Sequence, residues 1–523
     1  MWQGLPATEV AAGALRAIMT ANQSASAMET EIKFLIPEGA QEAVGAHPLL
    51  QNADSQSSQQ EVTTYYDTLA HRFRHAGASL RVREAGGRFV QTLKLRSEHD
   101  AFSRPEWEWD LPEERPDLSL LRDTPLKNLA AETVQPIFTS GVTRTVRALR
   151  PSSGGLIEVT ADVGCLRAGD QTVPLSELEL ELKGASSAAL YETAQALQST
   201  LPLLLGPESK ATRGWRLVSG AQPEAVKADA PTVQPDLAGA EAFHRLVSSL
   251  IAALVENQPA AMAGAAEGVH RMRIAVRRLR TALTLFRPYL DQEQEARFTN
   301  ALRRLGRILG EARDWDVFCS ETLMEAAGDV PAPSLMALRG AAEAERKAAH
   351  SKLTDEFAQP HLTRLVIDLS AWALNPAPGA QVGGALSRPM GEIAPDMLGR
   401  LDRKVRKRGK RIRHRSGKEL HMLRKALKRF RYALEFLAPL MKSGQAKSQL
   451  HHCKALQEDL GTINDAVMAE TLATQLRDGN AELGSAASVL QTWAEERRTQ
   501  ARGHLRKAWR ELKGASIPGF VGQ

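Results

Sequence analysis

Up to about residue 218 the apolar side chains of this chain recur at every second position; from about residue 240 to 514 they recur at every third and fourth. The first period is that of a strand with one buried face and the second that of an amphipathic helix, so one chain must fold in two unlike ways. Strand patterns run over 29–34, 79–84, 89–96, 104–110, 141–149, 156–162 and 176–183, punctuated by Gly, Pro and Asp, and 186–201 reads as helix. Between the halves, 219–236 holds Gln222-Pro223, Ala230-Pro231 and Gln234-Pro235 and reads as a linker. The expected fold class is α+β in two domains: strands with helices over 28–218 and helices alone over 237–515. Residues 1–27 read as an unstructured extension and 516–523 as a tail.

Composition narrows the class of molecule. With 43% hydrophobic residues, a chain of 523 can bury enough apolar surface to offset its conformational entropy, which excludes a disordered protein. The longest apolar stretches, 201–205 and 246–255, fall short of the roughly 18–20 residues a bilayer demands, so no membrane span is expected. Cys165, Cys319 and Cys453 lie far apart, which excludes a disulfide scaffold or zinc ribbon and suits a reducing, cytoplasmic setting. Residues 1–27 hold one Arg and no sustained apolar core, unlike a secretory signal. The net charge of +6 is unevenly spread, and bases are densest over 403–415, where nine of thirteen residues are Lys or Arg, a run read as a flexible basic loop. Such imbalance points to an acidic partner.

The strands of the first half are charged along one face. Glu29, Glu31 and Lys33 oppose Thr30, Ile32 and Phe34; Glu177, Glu179, Glu181 and Lys183 oppose Leu178, Leu180 and Leu182. Arg81 with Arg83, Lys94 with Arg96, Arg104 with Glu106 and Glu108, and Glu158 with Asp162 form further rows. Any one of these strands could be the wet face of an ordinary sheet. Together they fit that reading poorly, because three carboxylates about 7 Å apart along a strand repel one another unless a cation or ligand neutralises them. A closed barrel with a charged interior would supply that situation, its acids holding a divalent metal and its Arg and Lys an anion beside it. The ligand so described is a metal-bound polyanion, most simply a phosphate chain. No Walker-type Gly-rich loop is present, so side chains would form the cradle.

These residues stand in an ordered set: Glu29-x-Glu31-x-Lys33, Tyr65-Tyr66-Asp67-Thr68, Leu80-Arg81-Val82-Arg83, Leu93-Lys94-Leu95-Arg96, Glu177-x-Glu179-x-Glu181-x-Lys183 and Ser209-Lys210. The set resembles the CYTH domain, the triphosphate tunnel metalloenzyme superfamily. The resemblance implies an eight-stranded antiparallel β-barrel, a tunnel whose members cleave or rearrange triphosphates with Mg²⁺ or Mn²⁺. Carried over by position, it implies Glu29, Glu31, Glu179 and Glu181 as metal ligands. It implies Arg81, Arg83, Lys94, Arg96, Arg144, Lys210 and Arg213 as grips on phosphate, with Arg147 on the same wall. Lys33, Glu106, Asp162 and Glu177 would be the catalytic set, holding phosphate or ordering metals, the attacking water or neighbouring bases. Tyr65 and Tyr66 read as packing, Asp67 as fixing a turn, and Trp107 and Trp109 as outer packing. No second aromatic stands ready to sandwich a nucleobase, which favours a substrate without one.

The helical half resembles itself. Residues 268–316 align without a gap with 419–467 at a constant offset of 151, so a duplicated helical bundle is expected. His270, Arg273, Arg277 and Arg280 form a cationic stripe beside an apolar one of Met272, Val276, Leu279, Leu283 and Phe286; His421, Arg424, Lys428 and Arg431 repeat it. A solvated basic face is the ordinary explanation, yet solvated helices interleave Glu four residues away, and these stripes read as lacking such partners. An anion lying across them would relieve the repulsion. Asp314 and Asp465 read as helix caps or as groups orienting the arginines, and Arg497, Arg498, Arg502 and Arg506 as completing the patch or as solvated. Both copies of His-x-x-Arg-x-x-x-[Arg/Lys]-Arg-x-Arg resemble the CHAD domain, a helical module associated with inorganic polyphosphate that often follows CYTH.

The combined expectation is a metal-dependent enzyme, with Mg²⁺ or Mn²⁺, that cleaves inorganic triphosphate to phosphate and pyrophosphate and carries a polyphosphate-binding module. Adenylate cyclase or thiamine triphosphatase activity, or a non-catalytic polyphosphate-docking protein, are the alternatives. Nucleic acid is not favoured as a partner, because few aromatic residues are placed to stack bases.

Overall fold

The computed structural model describes residues 27–95, 103–328, 332–377 and 384–521. They fall into two compact units: the residues up to Pro223 together with Gln359–Ala371, and Glu224–Ala358 together with Trp372 onward. The α+β, two-domain expectation therefore holds.

In the first unit, β1 (Ala27–Leu35), β2 (Ser55–Asp67), β3 (Ala78–Ala85), β4 (Arg88–Leu95), β5 (Ser103–Leu111), β6 (Gln135–Leu149), β7 (Leu156–Ala168), β8 (Gln171–Lys183) and β9 (Leu204–Leu205) make one antiparallel sheet. Its order is β5-β4-β3-β2-β6-β7-β8-β1-β9. Strand β1 serves two neighbours: Ala27–Thr30 pair with β5, and Glu31–Leu35 with β8. The sheet thus has nine strands where eight were expected; the extra one is the two-residue β9, which pairs alongside the end of β1 at Phe34 and Leu35. Ala27, expected in the extension, opens β1.

Alternation sorts the side chains to two faces. Ile32, Phe34, Val159, Leu178 and Leu180 are buried beneath α1 (Ser187–Thr200), whose Leu190, Ala194 and Leu197 complete the core. Each fully buried Leu, Ile or Phe contributes roughly 1.5–3 kcal/mol. Ile367 of α7 (His361–Leu374) joins the same cluster, although it lies far along the chain. Three hydrogen bonds hold that segment: Arg364 donates to the Gln198 carbonyl at 3.1 Å, Gln195 to Asp368 at 2.9 Å, and the Leu205 N–H to Thr363 Oγ1 at 2.8 Å. Trp107 and Trp109 pack outward against Leu80, Leu93, Leu118 and Leu121, as the sequence reading has them. Asp67 fixes a turn, its carboxylate accepting from the N–H groups of Thr68, Phe73 and Arg74.

The second unit is helical. Its longer elements are α3 (Gly239–Val255), α4 (Ala266–Phe286), α5 (Gln292–Val317), α6 (Ala332–Phe357), α8 (Met390–Gly409), α9 (Gly417–Leu437), α10 (Gln445–Gly479) and α11 (Gly484–Gly514). The offset of 151 survives in space: Gly239 and Met390 open α3 and α8, and Ala266 and Gly417 open α4 and α9. Helix α4 packs on α3 and α5, α9 packs on α8 and α10, and α4 and α9 touch each other. Met272, Val276, Leu279, Leu283 and Phe286 are all buried. A capping box between Ser416 and Glu419 starts α9.

Three readings need correction here. The 403–415 run is not a loop: α8 continues through Gly409, because Met397, Leu401 and Val405 keep helical spacing and are buried, and a 3-10 turn at Ile412–His414 follows. Part of the expected linker is fixed in the second unit, where the Val226 N–H donates to Asn257 Oδ1 at 2.9 Å and the Val233 N–H to the Phe436 carbonyl at 3.0 Å. The expected tail also packs, with Phe520 buried and the Val521 N–H donating to the Leu440 carbonyl. Among the described residues no helix is long and apolar enough to cross a membrane.

Candidate functional site

Strand register gathers the charged rows onto one face of the sheet. Directly paired residues share a face, and the pairs Arg144–Asp162, Asp162–Glu177, Lys33–Glu179, Glu31–Glu181 and Glu158–Glu181 run across β6, β7, β8 and β1. Into this array projects α2 (Lys210–Ser219). Ser209 caps it by accepting from the Thr212 N–H at 3.1 Å, which sets Lys210 and Arg213 one turn apart. Gly214 lets the helix sit tightly, since a Cβ there would fall 2.0 Å from the Phe138 ring. Lys210 Nζ lies 2.9 Å from Asp162, 2.8 Å from Glu177 and 2.9 Å from Glu179. Lys33 is 3.0 Å from Glu179, and Arg213 2.7 Å from Glu177. Arg144 grips Asp162 with two hydrogen bonds, at 2.8 and 2.6 Å.

The electrostatics follow from these distances. Asp162 and Glu177 have no exposed side-chain surface, and Lys210 is nearly as deep. Burial alone would neutralise such carboxylates. Against that burial, the ammonium of Lys210, then Lys33 and Arg144, hold Glu179 well below the usual carboxylate range. Burial likewise opposes charge on Lys210, but Glu179, Glu177 and Asp162 keep it firmly protonated. A second cluster lies on the same face, where Arg81 and Arg83 pair in register with Tyr65 and Thr63 of β2. There Lys94 is 3.2 Å and Arg81 3.7 Å from Glu106, Arg83 is 3.5 Å from Glu108, and Thr92 donates to Glu108 at 3.1 Å.

In the helical unit the two cationic stripes converge. Arg273 reaches Asp314 at 2.9 Å and the Gly310 carbonyl at 3.2 Å, and Arg424 is 3.8 Å from Asp465, so both aspartates orient stripe arginines. Between them lie Arg277 and Lys428. Burial, then the charge of Arg273, pushes Arg277 down to about 10. Burial, then Arg277 and Arg424, pushes Lys428 down to about 6. Half-buried His270 is lowered by burial and then by Arg313. His421 meets Asn464 at 2.9 Å and lines a cavity of about 550 Å³ with Lys418 and Arg502. The expectation that the stripes lack glutamate partners fails at Arg431, which pairs with Glu435 four residues on at 3.0 Å. Arg497 and Arg498 are likewise paired, with Glu325 at 2.8 Å and Glu470 at 2.9 Å.

Residues 27–215 match the CYTH domain family, and residues 245–474 match the CHAD domain family. The chain is a CYTH–CHAD protein. An inorganic triphosphatase of Haemophilus influenzae is 33% identical over 160 residues, which are 30% of this chain and 45% of that relative, so the match spans less than half the relative's length. An uncharacterised protein of Mycobacterium tuberculosis is 27% identical over 451 residues, covering 79% of this chain and 81% of that relative. Among solved structures, the CHAD domain from the plant Ricinus communis is 26% identical with a TM-score of 0.50, covering 57% of this chain and 98% of that one.

Within the CYTH unit the expected residues fall as follows. Lys33, Arg81, Arg83, Lys94, Glu106, Arg144, Asp162, Glu177, Glu179, Lys210 and Arg213 stand in the two clusters, and Glu31 and Glu181 share their face. The Glu29 backbone pairs with that of Arg104 where β1 meets β5. Arg96 lies outside the described residues. Arg147 does not join the wall: three residues from Arg144, it points to the other face, pairs with Val159 and donates to Gln56 at 3.1 Å. The sequence reading missed Glu61, which is buried on β2 and 3.3 Å from Arg144; its alternation with Thr63 and Tyr65 was the available signal. An all-oxygen set of Glu31, Glu179 and Glu181 suits a hard divalent cation. Among the described residues, however, no three such side chains converge as a ready metal cage, and Glu179 is engaged by Lys33 and Lys210.

Proposed function

We propose that the CYTH unit hydrolyses inorganic triphosphate to phosphate and pyrophosphate inside a tunnel whose wall is the charged face, and that the CHAD unit binds polyphosphate. The observation that carries this reading is the buried alternation of acids and bases around Lys210. A face this charged is stable only when each sign has a partner, and here the buried carboxylates Asp162, Glu177 and Glu179 are matched with Lys33 and Lys210, cations suited to phosphate. The double pairing of β1 with β5 and β8 supports closure into a barrel.

Phosphoryl transfer is mostly positioning and charge stabilisation. Arg81, Arg83 and Lys94 would hold the oxygens of one end of the substrate, and Lys33, Arg144 and Lys210 those of the other. Arg144 offers a planar fork, which suits two-pronged contact with phosphate. Glu179, Glu177 and Asp162 keep Lys210 charged and in place. Lys210 and Lys33 keep Glu177 ionised against its burial, and Arg213 holds the Glu177 carboxylate at 2.7 Å. Glu31, Glu179 and Glu181, with Glu29, would hold Mg²⁺ or Mn²⁺, which when bound offsets phosphate charge and lowers the pKa of water.

The test is phosphate release by the full chain from tripolyphosphate, ATP and thiamine triphosphate with Mg²⁺ or Mn²⁺. Tripolyphosphate should be cleaved fastest, and Glu181→Gln and Arg81→Gln should each lower kcat/KM by at least about a hundredfold. Conversion of ATP to a cyclic product without cleavage of tripolyphosphate would favour a cyclase. Failure to turn over any of the three would leave a docking protein.

A further inference from the structure

The duplication makes the CHAD unit pseudo-symmetric, yet its two flanks differ in how their cations are paired. On one flank Glu435 sits between two guanidinium groups, 3.3 Å from Arg278 and 3.0 Å from Arg431, and both cations also lie over the ring of Tyr432, at 5.7 and 4.7 Å. The repeat-related positions on the other flank are Arg429, Arg280, Thr284 and Thr281, each 151 residues away from its counterpart. There the carboxylate and the ring are both missing. Thr284 only turns its hydroxyl to the Arg280 carbonyl, at 2.7 Å.

This second flank instead accumulates cations. Arg303, Lys404, Arg408 and Lys425 lie close enough to Arg280 and Arg429 for their charges to interact, whereas the repeat positions of Lys404, Arg408 and Lys425 are Ala253, Asn257 and Ile274. Among the described residues none of the six forms an ion pair with a carboxylate; Arg303 bonds Asn300, and Arg408 the Met422 carbonyl. Burial first, and then only positive neighbours, lower Arg280, Lys404, Lys425 and Arg429 from their ordinary values. Six like charges cost stability unless an anion spreads across them.

We propose that inorganic polyphosphate crosses the CHAD unit on one side only, passing from the central cations Arg273, Arg277, Arg424 and Lys428 onto the Arg280–Arg429 flank, while Glu435 seals the related flank. This rests on the polyphosphate reading above. A chain of linked phosphates fits because it brings one charge for each cation and asks for no stacking partner. Tyr432, the aromatic that could stack a base, lies on the sealed side beneath two arginines.

The test compares repeat-related variants of the full chain in binding long-chain polyphosphate at fixed salt. Arg429→Gln should weaken binding about fivefold or more and reduce the salt dependence by about one released ion. The same variant should not lower the melting temperature, because it removes repulsion rather than a pair. Arg278→Gln should stay within about twofold of the parent. Glu435→Thr, which copies Thr284, should tighten binding about threefold by opening the sealed flank. Equal losses at Arg429 and Arg278 would overturn the one-sided path, as would a loss confined to RNA binding in Arg429→Gln. Arg424→Gln separates the two levels: if the parent and this central variant both fail to bind, the polyphosphate reading itself falls.

Discussion

Lys428 shows how strongly one position can couple charge to folding. Burial and the neighbouring Arg277 and Arg424 bring its ammonium down to about 6 from an ordinary 10.5. Between those values the unfolded chain holds a proton that the native chain lacks, so this residue makes stability rise as pH rises through that window. Lys428→Met should flatten that slope, which melting temperatures at pH 6, 7, 8 and 9 would reveal; an unchanged slope would mean the group titrates normally. Polyphosphate should return the proton, seen as proton uptake at pH 8 in calorimetry with two buffers of different ionisation heat. At this scale much was legible. The cationic spacing of Arg273, Arg277, Arg424 and Lys428 follows from helical period alone. What could not be read was Glu435 acting on Arg278 across α4 and α9, because that pairing depends on how the two repeats face each other.

Arg144 and Arg147 lie on one strand, yet an odd separation sends them to opposite faces of β6. Arg144→Met should abolish triphosphate cleavage. Arg147→Met should leave KM and kcat within about twofold and hold or raise stability, since burial already pushes its guanidinium down; a comparable loss in both variants would contradict the face assignment. Strand β2 escaped the sequence reading for a physical reason. Residues 55–60 are Ser, Gln, Ser, Ser, Gln and Gln, so they offer no apolar alternation, and their strand form comes from pairing with β6 rather than from burial. Glu61 was lost with it. Charge misled in the opposite direction at 403–415, where basic density suggested a loop but Leu401 and Val405 kept α8 in register.

Across the whole molecule, sequence order and compact unit do not coincide. The helical half lends Gln359–Ala371 to the strand-rich unit, where Ile367 covers Leu190, Ala194 and Leu197. A chain ended at residue 236 should therefore lose about 2–4 kcal/mol from this unit and expose an apolar face. Denaturant titration and binding of a hydrophobic dye would show it, and an undiminished transition would show the segment to be dispensable. No pattern in 1–236 signals the missing cover, because a helix completes α1 by contact rather than by a motif of its own.

That borrowed segment also sets a timetable. At about 5–20 residues per second, a ribosome reaches Gln359 roughly 7–30 s after Pro223 has been added. For that interval the nascent sheet holds a bare greasy patch over Leu190 and Leu197. Synthesis thus has a vulnerable stage in which a holdase, or slow assembly of the sheet itself, must keep neighbouring chains apart.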